Sequence, residues 1–205
     1  MAVSRRAFLA LAAAGLMPGH GPPSAQASPD WRRALVASAR KQLGVTTLYD
    51  PAYTRIAYPG GDVPAERGVC TDVVIRAYRD AFGLDLQKLV HEDMKAAFSA
   101  YPTRWGLSRP DPNIDHRRVP NLMVFFRRRR AEQPLSTEAA AFAPGDLVTQ
   151  MLPGNLPHIV IVSDSVSAAV AGRPLVIQNI GQGAREDDSL FEFPHTGHFR
   201  FAPAA

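Results

Sequence analysis

Gly68-Val69-Cys70-Thr71-Asp72-Val73-Val74-Ile75-Arg76-Ala77-Tyr78-Arg79-Asp80-Ala81-Phe82-Gly83 is the stretch on which the fold turns. A glycine-containing loop passes into a run with Val74, Ala77, Tyr78 and Ala81 on one helical face, and Gly83 stands where a helix terminator belongs. The spacing predicts a helix from Thr71 to Phe82 with Cys70 at its N-terminus. Asp72 and Arg76, four apart, fit an i,i+4 ion pair with a structural role. A thiol at a helix start feels the positive end of the dipole and unpaired backbone N–H groups, and both favour thiolate. The same N–H groups can receive the oxyanion that forms when sulfur attacks a carbonyl.

Working outward, Trp31, Leu35, Ala39 and Leu43 recur every four residues and predict an earlier helix ended by Gly44. Residues 45–69 are rich in Tyr, Pro and Gly, with Tyr58-Pro59-Gly60-Gly61-Asp62 as a turn. Beyond Gly83, Leu86, Leu89, Val90, Ala97 and Phe98 suggest another helix. A polar loop runs from Pro102 to Val119, and Pro120 opens a further helix through Phe126. After Pro144 the character changes. Asp146–Thr149, His158–Val162, Leu175–Ile180 and Leu190–Phe193 read as strands, separated by turn material such as Gly181-Gln182-Gly183. Helices first and an antiparallel sheet second define an α+β fold in one domain.

The first 27 residues have another purpose. Arg5-Arg6 precedes a small, apolar run from Ala7 to Met17, too short to span a bilayer, and Ala25-Gln26-Ala27 offers a peptidase site. The segment resembles a signal read by the bacterial twin-arginine translocase, which implies export to the periplasm and cleavage near Ser28. Its removal leaves 178 residues, enough for one domain with a substantial core. It also takes Arg5 and Arg6, lowering the net charge from +4 to +2. The Arg127–Arg130 cluster lacks the aromatic–basic pattern of a nucleic-acid binder and reads as a solvated helix end. After the signal no stretch has membrane-spanning length.

Cys70 is the chain's one cysteine, which rules out an intramolecular disulfide and a thiolate zinc cluster. A buried inert thiol is the plain alternative to a reactive one. His158 begins the most apolar strand, directly after a Pro/Gly-rich loop, where an imidazole can face a cleft. Thiol and imidazole together are the minimum set for acyl transfer. A third polar group should orient the imidazole. Gln178 and Asn179 are adjacent on the next strand, so only one of them can point at His158, and alternation leaves both open. No metal or cofactor enters this reading. His195 and His198 lack ligand spacing, and His91 reads as a helix-surface residue.

Three segments carry a resemblance: Gly68-Val69-Cys70-Thr71-Asp72 opening a helix, Gly145-Asp146-Leu147-Val148, and His158-Ile159-Val160-Ile161-Val162. They resemble the papain-like superfamily in its rearranged branch, the NlpC/P60 and CHAP peptidases of bacterial cell walls. More closely, nearly the whole mature chain resembles the exported family called domain of unknown function 1287. Tyr49-Asp50-Pro51, Gly68 to Tyr78, Asn113 to Leu122, Asn179-Ile180-Gly181-Gln182-Gly183 and Thr196 to Arg200 carry that match. The wider superfamily implies a papain-like fold and hydrolysis of amide bonds in peptidoglycan peptides through a Cys70–His158 thiolate–imidazolium pair.

This chain departs from NlpC/P60 enzymes where they usually carry a third histidine, having Gln178 there with Asn179 beside it; the papain resemblance implies an orienting asparagine and so favours Asn179 over Gln178. The resemblance also implies a tyrosine beside the nucleophile, a place that Tyr58 fills. Asp115-His116-Arg117-Arg118 is the candidate for substrate recognition, since an arginine fork can hold a peptide carboxylate. Asp115 and Arg118 pairing to hold the loop is the plainer alternative. A transferase using the same thioester, or a cell-wall binding protein without activity, are the competing functions.

Overall fold

The computed structural model describes Met1 and residues 30–203. The arginine-pair signal therefore lies outside the described residues, Met1 apart. Four α-helices come first: α1 (Asp30–Arg40), α2 (Cys70–Phe82), α3 (Leu86–Ala96) and α4 (Val119–Arg128). Between α1 and α2, β1 (Leu48–Tyr49) pairs in parallel with β2 (Arg67–Gly68). A six-stranded antiparallel sheet follows, made of β3 (Glu132–Gln133), β4 (Leu147–Leu152), β5 (Leu156–Val166), β6 (Pro174–Asn179), β7 (Ala184–Asp187) and β8 (His195–Phe199). Its spatial order is β3-β8-β4-β5-β6-β7. The α+β arrangement expected from the sequence is present.

Helix α2 is built as its sequence predicts, one residue longer at the start. Val73, Val74, Ala77 and Tyr78 are buried against the main core. At its start Asp72 accepts the backbone N–H of Val69 at 2.6 Å, satisfying a donor just ahead of the first turn. At its end Gly83 is left-handed (φ 64°); its N–H returns to the Arg79 carbonyl and that of Leu84 to the Tyr78 carbonyl. The i,i+4 pair expected within α2 is absent. Arg76 reaches Asp62 at 2.9 Å, while Asp72 turns toward Arg117.

Strand alternation sorts the sheet's side chains into two layers. Ile159 and Ile161 of β5 join Leu147, Ile177 and Phe199 in the core shared with the helices. Val160 and Val162 face the other way, into a smaller cluster with Phe142, Val148, Val176 and Leu190. By the same alternation His158, Gln150 and Gln178 lie on the side of that smaller cluster. Asn179 lies on the helix side.

Two strand assignments change. Leu190–Phe193 is a turn rather than a strand; Leu190 is apolar because it fills the smaller cluster from that turn. The strands flanking it are β7 and β8, whose polar composition hides them. Gly183, in the β6–β7 hairpin, has φ 86°, and an added Cβ there would lie 2.6 Å from the Thr46 carbonyl. The hairpin is thereby pressed onto the loop that leads to β1, with Ala184 N–H donating to Thr46 O at 2.7 Å.

Candidate active site

Cys70 opens α2 at the base of a cleft of about 350 Å³, whose walls include Tyr49, Pro51, Trp105, Arg118, Val119, Pro120 and Pro157. The thiol is 5% exposed. Backbone N–H groups of Ile159, Thr71 and Cys70 itself favour the thiolate. These are the donors that the helix start was expected to supply, joined by one from β5. Burial nonetheless dominates. It pushes the thiol up to about 12, with the Asp72 carboxylate adding to the rise and the backbone donors only partly offsetting it. The expectation of a resting thiolate is therefore corrected: the helix end is outweighed by desolvation.

His158 is buried on β5, and its Nε2 lies 2.6 Å from Gln178 Oε1. Gln178 is itself fixed from behind. Its Nε2 donates to Asp187 Oδ1 at 2.9 Å and to Ser189 Oγ at 2.6 Å. With the amide nitrogen committed to these acceptors, its oxygen faces the imidazole, so His158 Nε2 is the donor. Nδ1 is then the unprotonated nitrogen of the neutral ring. Burial lowers the His158 pKa, and the Gln178 bond only partly restores it. Thiol and imidazole are thus both neutral at pH 7, and no hydrogen bond among the described residues joins them. They meet through the chain, since the N–H on the sulfur belongs to the residue after His158.

Asn179, favoured as the orienting residue, does something else. Its Nδ2 donates to the Gly68 carbonyl at 3.0 Å, tying the loop before Cys70 to β6 on the helix side of the sheet. Gln178 takes the orienting place. Asp187 and Ser189 were missed altogether; only the β6–β7 hairpin, folded back through Gly181-Gln182-Gly183, brings them to Gln178.

The proposed recognition cluster is largely interior. Arg117 forms a bidentate pair with Asp72, both bonds 2.9 Å, and donates to the carbonyls of Asp50 and Ala52. Its guanidinium is committed to positioning α2 and is closed to a substrate. Asp115 accepts from Arg118 at 2.8 Å and from the Asp111 N–H at 2.6 Å, which is the loop-holding alternative. His116 is buried, and desolvation, aided by Arg117, pushes its pKa down to about 3. Tyr58 is exposed and packs edge-on against His91. The tyrosine beside Cys70 is Tyr49, whose pKa is raised first by burial and next by the neighbouring Cys70. Its position in Tyr49-Asp50-Pro51 was visible in the sequence, but its approach to Cys70 depends on the β1–β2 pairing.

Fold and site define a mixed α+β protein in which a helix-opening thiol packs against an antiparallel sheet that carries a histidine fixed by Gln178. The chain belongs to the family described as Domain of unknown function (DUF1287), whose model matches residues 36–201. It is similar to "Uncharacterized protein YijF" of Escherichia coli (strain K12), at 54% identity over 168 residues. The match covers 82% of this chain and 80% of that protein.

Proposed function

We propose that this protein is an exported, papain-like cysteine hydrolase that cleaves an amide bond in peptidoglycan-derived peptides. One observation carries the reading: Cys70 lines a cleft at the start of a helix, a backbone N–H of Ile159 acts on its sulfur, and the residue before Ile159 is a histidine held by Gln178. In this reading the 27-residue leader delivers the protein to the periplasm through the twin-arginine translocase.

The reaction starts from neutral partners. The step requires His158 to come within reach of the sulfur; its Nδ1 then takes the thiol proton as Sγ attacks the carbonyl carbon, so charge develops only in the transition state. Backbone N–H groups at the start of α2 receive the oxyanion. The tetrahedral species collapses to a thioester as the imidazolium returns its proton to the leaving amine. Water, deprotonated by the same nitrogen, then releases the carboxylic acid and restores the thiol. An amine in place of water makes the same thioester a transferase intermediate.

The test is incubation of the purified protein with peptidoglycan fragments, with products read by mass spectrometry. The wild type should release a cleaved peptide, Cys70→Ala should abolish turnover by at least about a thousandfold, and fragment binding should persist. Binding without any cleavage by the wild type makes the protein a cell-wall binding module, the reading that the deep burial of the thiol favours. Undiminished cleavage by Cys70→Ala removes Cys70 as nucleophile.

A further inference from the structure

The walls of the Cys70 cleft have a one-sided charge. Arg104, Arg117 and Arg118 line it, and no aspartate or glutamate does. The three cations differ in what already neutralises them. Arg117 is fully engaged by Asp72. Arg118 gives one N–H to Asp115 and lays its guanidinium over the Trp105 ring, 4.1 Å from the centroid. Arg104 is exposed, lies 5.5 Å from the same ring, and has no carboxylate within ion-pairing distance among the described residues. One uncompensated positive charge therefore stands at the cleft, beside a second guanidinium with N–H groups to spare. Around them the walls are apolar, with Pro51, Pro120 and Pro157. Water is partly displaced there, which strengthens a charge-assisted hydrogen bond.

We infer that this cleft selects acyl ligands carrying a free carboxylate near the bond presented to Cys70, held by Arg104 and Arg118 beside Trp105. This deepens the hydrolase reading and rests on it for the role of the thiol. A guanidinium pair stacked on an indole presents parallel N–H donors to a planar anion. A neutral amide of the same shape loses that pairing and leaves the cation without a partner.

Two measurements on the full chain test the inference. The first compares alkylation of Cys70 by iodoacetate and by iodoacetamide, reagents that differ in charge, at about pH 8.5. Relative to free cysteine, the protein should favour iodoacetate by about tenfold, and Arg104→Gln should remove most of that preference. A ratio equal to that of free cysteine, or a preference untouched by both Arg104→Gln and Arg118→Gln, overturns the inference. The second follows the Trp105 indole N–H resonance, assigned with Trp105→Phe, and does not depend on sulfur chemistry. Acetyl-Ala-Ala as the free acid should move the resonance and its amide should not. Acetyl-Glu-Ala amide separates a side-chain carboxylate from a C-terminal one. Equal responses to acid and amide, or none to any of the three, overturn the inference. No cleavage of peptidoglycan fragments by the wild type, with the acid still shifting Trp105, removes the hydrolase reading and keeps the anion site.

Discussion

The most informative residue in the site is one remote from the cleft. Asp187 reaches neither Cys70 nor His158 by a hydrogen bond, yet it decides which end of the Gln178 amide the imidazole meets. Wild-type His158 should therefore show the Nε2–H tautomer by ¹⁵N chemical shift. In Asp187→Ala the amide is free to turn, and the two ring nitrogen resonances should move toward each other. A wild-type spectrum dominated by Nδ1–H contradicts the assignment. A second residue-scale prediction concerns the thiol. An ordinary cysteine titrates near ~8.5, whereas burial pushes Cys70 up to about 12. Its alkylation by iodoacetamide in the folded protein should keep rising with pH well past the point where free cysteine levels off. A plateau near neutrality would mean that a thiolate–imidazolium pair forms after all.

At the scale of elements, α2 is held in place by the buried Asp72–Arg117 pair. Each side chain is 3% exposed, and the bond spans from the helix to the loop before α4. Removing one partner leaves the other charge buried and unpaired, which costs about 3–5 kcal/mol in comparable sites. Arg117→Met should lower the unfolding free energy obtained from urea titration by that order, and Asp72→Asn in the same chain should recover a good part of it. A single-variant loss below about 0.5 kcal/mol would show the pair to be solvated and unimportant. This pair also marks the limit of what the sequence discloses. Periodicity gave α1 and α2 and the Gly83 stop of α2, because those signals are local, whereas α1 ends at Arg40, short of the Gly44 stop expected for it. It gave β5 through its β-branched run. It paired Asp72 with Arg76 because only neighbours along the helix are visible without the fold, and Arg117 is forty-five residues away. The polar strands β7 and β8 were lost for the same reason: partners across the sheet, and not hydrophobicity, hold them. In the site, Cys70 and His158 stood out through their local settings, while Tyr49, Asp187 and the interior fate of His116 and Arg117 depend on tertiary contacts.

Across the whole molecule, the shifted groups define a pH window. On the acid side, His116 and His158 are held neutral by burial, so the unfolded chain binds more protons than the folded one below about pH 6.5. Stability must then fall as the pH falls, by about 1.4 kcal/mol per unit for each group while its folded form resists protonation. For His116 that range extends down to about 3. Asp146, though buried, is kept ionised by Arg200 and His198 and lies below its ordinary pKa, so its stabilisation is lost below about pH 4. Asp115, whose carboxyl burial raises, works in the opposite sense and softens the acid limb. On the alkaline side, the unfolded thiol ionises from about pH 8.5 upward while the folded one does not, so the folded state binds the extra proton and loses ground as pH rises. Tyr78 and Tyr101, both raised by burial, extend that loss above about pH 10. Thermal midpoints followed by circular dichroism should therefore peak between about pH 6.5 and about pH 8.5. Cys70→Ala should flatten the curve between about pH 8.5 and about pH 10 and leave the acid limb alone, whereas His116→Gln should flatten the acid limb alone. A midpoint that rises from neutrality down to about pH 5 would mean that the two histidines gain partners on protonation, and would place them outside the interior.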